Sequence, residues 1–319
     1  MPVYIINKTL GLSSHDVVAK ARRHLSTKAV GHAGTLDPLA TGVLVVLSHD
    51  ATKLSPFLTE SKKSYLAWVS FGASTATLDA EGPILAEADA SHLTLADIEL
   101  QLDYFLKLNS QMPPSYSAIK QGGVKAYEAA RKGEDLRLKP RPARYYEVRC
   151  LGVAAHRQKL TEKLALSAQI QFPETSPTLL AQPVLPPSLK EELATALFEV
   201  KVQAGTYIRA FARDLGERLG LPAHLSGLIR TRAGRASLLE ACALEDIAQY
   251  PKSKRGLLSY PEVLLSEKET LFIRQGKQLA LGLKERSSLI SPQGHLVAIA
   301  EAKAEQAIKL LRVWQEDCD

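Results

Sequence analysis

A single carboxylate, Asp37, lies in a glycine-rich stretch that could position it for chemistry. Residues 31–42 read GHAGTLDPLATG and contain three glycines, which allow a backbone to turn tightly and to approach a ligand closely. Pro38 fixes its own φ and stiffens the loop directly after the carboxylate. A carboxylate held in such a loop can act as a nucleophile or as a general base. In the alternative interpretation, Asp37 only caps a turn.

Other kinds of catalytic apparatus are missing from the sequence. It has no Walker loop, no dinucleotide fingerprint and no serine nucleophile elbow. The three cysteines form no CxxC pair, and the eight histidines show no metal-ligand spacing. No apolar run reaches the roughly 18–20 residues that span a bilayer, and the first residues do not resemble a signal peptide. We therefore predict no metal, no cofactor, no membrane association and a cytoplasmic protein with reduced cysteines.

The positive charge of the chain is concentrated in two segments. The net charge is +6, whereas residues 107–150 alone carry +6 and residues 201–235 carry +5. The rest of the chain is therefore acidic. Clusters of Lys and Arg are typical of a surface that binds a polyanion such as RNA, although lysines and arginines on an ordinary solvated surface would look the same.

Several elements must position Asp37. The apolar run Val43–Leu47 directly follows the loop and predicts a buried strand. Ser13 or Ser14 can cap a helix that precedes the loop. Residues 65–71 (YLAWVSF) predict a second strand, with Tyr65, Ala67, Val69 and Phe71 on one face and Leu66 and Trp68 on the other.

The clearest helix is predicted over residues 206–219, where an apolar stripe ends at Gly220. Arg209 lies near the start of this helix, where the helix dipole disfavours a cation. An arginine at that position indicates an acidic partner elsewhere in the fold, whereas a solvent-exposed arginine is the alternative.

The remaining chain divides into less regular parts. Thr94 predicts a further helix start, and residues 156–196 form a proline-rich insertion of unknown role. Residues 240–262 suggest a helix and a linker. The last sixty residues predict short strands separated by turns, including a strand at residues 271–273.

A series of stretches, in order along the chain, resembles the motifs of the TruB family of pseudouridine synthases, which modify the T-arm uridine of tRNA. They are GHAGTLDPLATGVL, SKKSYLAWVSFG, TATLDAEG, PPSYSAIKQGGVKAYEAARKG, AGTYIRAFARDLGERLG and AHLSGLIRTRAG. The last sixty residues resemble, more weakly, the PUA module with which such enzymes hold the acceptor stem of tRNA.

The resemblance implies roles for particular residues. It makes Asp37 the catalytic aspartate, pairs it with Arg209, and places Tyr65 where the family's tyrosine stacks on the target base. His32 matches the histidine that takes the place of flipped bases in the T-loop, and Leu228 matches the leucine that walls the pocket.

The resemblance also implies substrate contacts for Tyr116, Lys120 and Tyr127. Asp79 matches an acidic position of the family, but it also fits a turn, and we leave it out of the predicted catalytic set. Where the family usually has Lys-Pro, this chain has Lys8-Thr9, a change that we expect to loosen one turn without touching the chemistry.

The fold implied by the resemblance is α+β, with a mixed, largely antiparallel central sheet flanked by helices and a small C-terminal β-rich module. The expected domains are a catalytic domain over residues 1–245, with the insertion at about 156–196, and a PUA-like RNA-binding domain over residues 262–319.

The function implied is isomerisation of uridine 55 in the T-loop of tRNA to pseudouridine, by a monomer that flips the base into its pocket. The expected partner is tRNA, bound through its T-arm and, at the C-terminal module, its acceptor stem. Asp37 could add to the sugar, add to the base, or remove a proton from the sugar. Three other functions remain open: the catalytic subunit of a guide-RNA-dependent synthase, a protein that binds or folds tRNA, and an unrelated basic RNA-binding protein.

Overall fold

The structure is a computed structural model that describes residues 2–117, 119–121, 124–132, 137–160, 184–190, 192–277, 279–303 and 307–315. Within these residues the strands are β1 (Val3–Lys8), β2 (Val30–Ala33), β3 (Ala40–Ser48), β4 (Lys63–Phe71), β5 (Ala73–Thr75), β6 (Ile84–Glu87), β7 (Ser110–Gln111), β8 (Lys120–Gln121), β9 (Val124–Lys125), β10 (Arg141–Pro142), β11 (Tyr145–Ala154), β12 (Thr195–Val202), β13 (Ala223–Ala233), β14 (Ala236–Ser237), β15 (Glu262–Leu264), β16 (Ser287–Ile290), β17 (Leu296–Ala302) and β18 (Ile308–Val313). The α-helices are α1 (Ser14–His24), α2 (Ser55–Thr59), α3 (Leu95–Lys107), α4 (Ala126–Arg131), α5 (Ile208–Leu219) and α6 (Glu267–Arg274), and 3₁₀ turns cover His49–Leu54, Leu238–Glu240, Ile247–Gln249 and Arg255–Leu257.

A mixed sheet forms the centre of the molecule. Its strands follow the order β1-β3-β13-β4-β12-β11, with β2 paired to β3 and β14 paired to β13. The pair β3 and β13 is parallel, and the other neighbours along this path are antiparallel. The predicted mixed, largely antiparallel sheet is confirmed.

The two faces of this sheet belong to different hydrophobic clusters. On the front face, Tyr65, Ala67, Val69 and Phe71 pack with residues of α1, α3 and α5. On the back face, Leu66 and Trp68 pack with residues from the 3₁₀ turn at His49–Leu54, from α2 and from the C-terminal strands. The alternation predicted for residues 65–71 is confirmed, and both faces are covered because both carry apolar side chains.

The front helices follow the sequence prediction closely, although α5 begins at Ile208 rather than at residue 206. Ser13 is the N-cap of α1, and Thr94 is the N-cap of α3, each in a capping box with an aspartate three residues later. The helix α5 ends at Gly220, which adopts a left-handed conformation with φ of +68°. Its buried side chains include Ile208, Phe211 and Leu215, so its stripe faces the front of the sheet.

The C-terminal module contains a four-stranded sheet in the order β15-β16-β17-β18 and the helix α6. The predicted β-rich module is confirmed, but the strand predicted at residues 271–273 is wrong. These residues lie in α6, because Ser266 caps a helix with Glu269 and the side chains at 270 and 273 turn inward on one helical face. The helix suggested within residues 240–262 is also wrong, since the structure has short 3₁₀ turns there.

The C-terminal module packs against the back face through Trp314. This side chain is buried, its indole N–H donates to the backbone carbonyl of Asp50 at 3.1 Å, and it shares a cluster with Leu54 and Leu58. Arg286 of the same module lies 2.9 Å from the carboxylate of Glu60. The division into domains over 1–245 and 262–319 stays a prediction, and the two parts share one hydrophobic cluster.

Only the two ends of the proline-rich insertion belong to the described part of the chain. Leu160 at one end is fully buried in the cluster of the back face, and Leu185 at the other end packs against the same cluster. Among the described residues, no helix combines the length and apolar character needed to cross a membrane.

Candidate active site

The loop that carries Asp37 is held by groups that are distant in sequence. Ser14 Oγ, in the first turn of α1, accepts from the Leu36 N–H at 2.8 Å and lies 3.1 Å from the Leu36 carbonyl, to which it can donate. The Gly11 N–H donates to the Pro38 carbonyl at 2.9 Å. These bonds satisfy backbone groups on both sides of Asp37 and fix its position.

Two buried cations bind the carbonyl oxygens of the same loop. Arg230 on β13 is buried, and its guanidinium donates to the carbonyls of Gly34 at 2.9 Å, Thr35 at 3.2 Å and Val43 at 2.7 Å. Lys8 is buried as well, and its ammonium donates to the Leu12 carbonyl at 2.6 Å.

Lys8 also reaches the loop itself. Its Nζ lies 3.0 Å from the Thr9 carbonyl and 3.4 Å from the Pro38 carbonyl. Burial lowers the pKa of Lys8 to about 8, whereas the negative charge of Asp37 raises it. The Lys8-Thr9 position therefore supports the loop beside the carboxylate.

A close backbone contact joins the loop to β13. Gly42 has φ of +95°, and a Cβ built on it would lie 2.3 Å from the Arg230 carbonyl oxygen. Gly42 and Arg230 are partners in the parallel pairing of β3 with β13. The third glycine of the motif is thus required by both backbone angle and space.

Arg209, at the start of α5, is the arginine for which the sequence indicates an acidic partner. Its Nε lies 2.9 Å from Asp37 Oδ2, and its side chain is 8% exposed while that of Asp37 is 39% exposed. The ion pair is confirmed by the structure. A buried cation therefore anchors a carboxylate that stays accessible to a ligand.

Asp79 is a second carboxylate on the same arginine. Its Oδ2 lies 3.4 Å from Arg209 Nη1, and its side chain is 3% exposed. The Glu81 N–H and the Thr77 hydroxyl donate to its Oδ1. Burial raises the pKa of Asp79, and the Thr77 hydrogen bond and the Arg209 charge act against this rise. Asp79 lies in a turn, as the sequence allows, and it also belongs to the ion-pair network of Asp37.

The two terminal nitrogens of Arg209 connect two loops. Nη1 donates to the Thr77 carbonyl at 3.0 Å, and Nη2 donates to the Tyr116 carbonyl at 2.9 Å. Arg209 thus fixes the backbone of the loop that carries Tyr116. Gln111, just before this loop, accepts from the Tyr207 N–H at 3.0 Å through its side-chain oxygen.

Tyr65 and Leu228 lie on the front face beside the Asp37 loop. Leu228 on β13 pairs with Ala40, three residues after Asp37, and with Ala67 on β4. Tyr65 lies two residues before Ala67, on the same face, and belongs to the same cluster as Leu228. The structure therefore brings Asp37, Arg209, Tyr65 and Leu228 to one face of the sheet.

His32 lies on β2, upstream of the loop. Its ring is 5.5 Å from the ring of His15 in an edge-to-face arrangement, and its Nδ1 is buried without a hydrogen-bond partner among the described residues. Burial, followed by the charges of His15 and Arg230, lowers the pKa of His32. A neutral imidazole beside the loop suits stacking against a nucleobase.

Three predicted substrate contacts, Tyr116, Lys120 and Tyr127, lie close to gaps in the described part of the chain. The Tyr127 N–H donates to the Ser117 carbonyl at 3.0 Å, next to Tyr116. The side chain of Lys120 lies outside the described residues. The roles of Tyr116, Lys120 and Tyr127 in binding substrate stay predictions.

Sequence reasoning missed Arg230, Ser14 and Gln111, which hold the loops of the site. No local pattern distinguishes them, because each acts on backbone groups distant in sequence. Among the described residues, no group of three or more His, Cys, Asp and Glu side chains is placed to hold a metal ion.

The chain is similar to known proteins along its whole length. Residues 22–170 match the model of the TruB family pseudouridylate synthase (N terminal domain). The tRNA pseudouridine synthase B of Thermus thermophilus is 46% identical over 319 residues, which cover 99% of this chain and 100% of the relative. That of Deinococcus radiodurans is 42% identical over 315 residues, which cover 98% and 100%.

A solved structure shares the fold. The chain superposes on one titled "Crystal Structure of a Cbf5-Nop10-Gar1 Complex" with a TM-score of 0.68 and 21% identity, covering 98% of this chain and 84% of that one. Because the site geometry, the family model and these full-length relatives agree, the chain belongs to the TruB family of pseudouridine synthases.

Proposed function

We propose that this protein is a tRNA pseudouridine synthase that isomerises uridine 55 of the T-loop. The observation that carries the proposal is the accessible Asp37 carboxylate, held 2.9 Å from the buried Arg209 beside Tyr65 and Leu228. Full-length relatives named tRNA pseudouridine synthase B support the choice of tRNA as the substrate.

The reaction exchanges one bond for another at the sugar. The bond between N1 of uracil and C1′ breaks, the base turns, and a bond between C5 and C1′ forms. The hydrogen on C5 leaves as a proton, and N1 gains a proton, so no oxidant or reductant is needed. Asp37 is the group that we assign to the reacting nucleotide.

The other residues of the site have separate roles in binding the extruded nucleotide and in holding Asp37. A target uridine within a folded T-loop must leave its stack to reach Asp37. Tyr65 offers an aromatic face for the extruded base, Leu228 gives an apolar wall, and His32 fills the space that the base leaves in the loop. Arg209 holds Asp37 in place through their ion pair, in which Nε lies 2.9 Å from Oδ2.

Binding would use the exposed Lys and Arg side chains of the basic segments 107–150 and 201–235, whose charges are +6 and +5. Arg209 and Arg230 in the second segment are buried and hold the site instead. We assign the T-arm to the catalytic domain over 1–245 and the acceptor stem to the C-terminal domain over 262–319, in a cytoplasmic monomer.

Affinity for tRNA should fall at least about tenfold for a fourfold rise in salt, since phosphate contacts release counterions. A flat salt response would remove these segments from the binding surface.

The first experiment measures tritium release from a T-arm stem-loop whose only tritiated nucleotide is a 5-tritiated uridine at position 55. Wild type should release tritium without any guide RNA, and Asp37→Ala should release none while its Kd for the stem-loop stays within about threefold. Asp103→Ala, which removes an exposed carboxylate from α3, is the control and should behave as wild type.

The outcomes separate the alternatives. Tritium release only after a guide RNA is added would identify a guide-dependent subunit. Tight binding without release from any variant would identify a protein that binds or folds tRNA. Loss of binding in Asp37→Ala would overturn the catalytic assignment of Asp37.

A further inference from the structure

One end of the proline-rich insertion contacts the back of the strand that carries Leu228. Arg157 donates through Nη1 to the Ser226 carbonyl at 2.6 Å and through Nη2 to the Pro186 carbonyl at 2.6 Å. Its guanidinium thereby ties the entry of the insertion to its exit, and both to β13.

The carbonyl that Arg157 binds belongs to a β-bulge. In the pairing of β13 with β4, Leu225 faces Val69 and Gly227 faces Trp68, so Ser226 is the extra residue. A bulge leaves its extra residue without a partner in the ladder of the sheet. Arg157 supplies a partner for the Ser226 carbonyl from outside the sheet.

The insertion also occupies the space behind the next residue. A Cβ built on Gly227 would lie 2.7 Å from Leu185 Cδ2. The Ser226 hydroxyl accepts a hydrogen bond from Ser70 Oγ on β4 at 2.7 Å. The bulge is therefore held by contacts with the insertion and with β4.

This bulge separates two parts of the active site. Before it, Leu225 exchanges backbone hydrogen bonds with Leu78 and Ala80, at 3.0 and 3.1 Å, and so fixes the turn that carries Asp79. After it comes Leu228 in the pocket. Because side chains alternate along a strand, a slip by one residue here would turn Leu228 away from the front face.

We propose that Arg157 is a positioning residue, through which the insertion fixes the bulge at Ser226 and thereby the relative placement of Leu228 and the Asp79 turn. This assignment rests on the proposed function. Arg157 acts on the backbone carbonyls of Ser226 and Pro186, so its loss should slow the chemical step and leave RNA binding unchanged.

The test uses the full chain in single-turnover tritium release with saturating enzyme. Arg157→Ala should lower the rate constant by about tenfold or more, since small displacements of reacting groups are costly, while the Kd for the stem-loop stays within about twofold. Arg157→Lys, which keeps the charge but offers a single donor centre, should fall between Arg157→Ala and wild type. Lys159→Ala, exposed on the same segment, is the matched control.

Two further measurements separate positioning from a loss of folded protein. The concentration of binding-competent enzyme, titrated with the stem-loop, should remain that of wild type, because at saturating enzyme partial unfolding reduces this concentration and not the rate constant. Hydrogen exchange followed on peptides that span residues 223–233 should become faster in Arg157→Ala and not in Lys159→Ala.

The result that would overturn the proposal is an unchanged rate constant in Arg157→Ala, or a slower rate without faster exchange at the bulge. If wild type itself releases no tritium, the proposed function fails. The exchange measurement still reports in that case whether Arg157 holds the bulge.

Discussion

Arg209 lies 2.9 Å from Asp37, yet the arginine is 8% exposed and the carboxylate is 39% exposed. A guanidinium buried to this degree is costly without full compensation. Asp79, with 3% exposure, and the carbonyls of Thr77 and Tyr116 supply it. The buried partners hold the cation, so that the Asp37 carboxylate stays accessible to a ligand.

Replacement of Asp79 by Asn should impair catalysis more than binding. The amide keeps the shape of the side chain but removes one of the two negative charges on Arg209, so the guanidinium loses part of what fixes it beside Asp37. We expect kcat to fall by about 10- to 100-fold, with the Kd for RNA within about twofold, because Asp79 is buried.

The control for this change is Glu217→Gln, which removes an exposed carboxylate 3.8 Å from Arg213 on the same helix. It should leave kcat within about twofold of wild type. An unchanged kcat in Asp79→Asn would show that Asp37 and the carbonyls alone position Arg209.

Two glycines with positive φ allow a matched test of the motif loop. Gly42→Ala places a Cβ against the Arg230 carbonyl at φ of +95°, whereas Gly11→Ala has φ of +81° and no atom within 4 Å. Both changes carry the backbone strain of about 1–2 kcal/mol. Gly42→Ala should lose a further 1–3 kcal/mol, roughly the cost of overpacking, in urea denaturation. Equal losses in both variants would show that β3 and β13 separate freely at this point.

Acid should destabilise the protein through His224. This side chain is buried, and its Nδ1 lies 2.8 Å from the Ala73 carbonyl. Burial lowers its pKa below the ordinary 6.5, helped by the charge of Arg157 and opposed by the hydrogen bond to Ala73 and the charge of Asp79. Between the folded pKa and 6.5 the unfolded chain binds more protons, so the free energy of unfolding falls as the pH falls through this window and is constant above it.

His224→Asn, which keeps a donor and does not titrate, should therefore lose less stability than wild type between pH 7 and pH 5. The measurement is the urea midpoint at several pH values. His92→Asn, at an exposed position, is the control and should follow wild type. The same slope in all three proteins would contradict the prediction.

Removal of the Trp314 indole should destabilise both the C-terminal module and the central sheet against which it packs. Trp314→Ala deletes a buried ring and its bond to the Asp50 carbonyl, and we expect a loss of about 3–5 kcal/mol in the free energy of unfolding. Leu264→Ala, where the side chain is 71% exposed, should cost less than about 0.5 kcal/mol. A loss in Trp314→Ala no larger than in Leu264→Ala would mean that the C-terminal module folds apart from the central sheet.

Much of the fold follows from local pattern. The stripe of α5, the caps at Ser13 and Thr94 and the alternation after Tyr65 are each determined by neighbouring residues, and the structure confirms them. The misassigned stretch at residues 271–273 is apolar and short, so its pattern suits a strand or a helix equally. The N-cap at Ser266, six residues before Phe272, starts a helix that runs through this stretch.

The candidate site likewise contains residues whose role the sequence predicts and residues whose role it does not. The position of Arg209 at a helix start leaves open an acidic partner or a solvent-exposed side chain, and the resemblance decides for a partner and identifies it as Asp37. The second carboxylate, Asp79, could not be assigned from the sequence because its ion pair depends on how its turn meets β13. Arg230 was missed for the same reason, since it acts on carbonyl oxygens that any sequence would supply.

The contact between Trp314 and Asp50 also has a consequence for synthesis. The two residues are 264 positions apart, and the segment after Asp50 joins the strand that follows the Asp37 loop to the strand that carries Tyr65. At about 5–20 residues per second, a ribosome needs on the order of 13 to 50 seconds to make the intervening chain. For that time the nascent site lacks part of its support, so we expect newly made protein to become competent only after its C-terminal module has emerged.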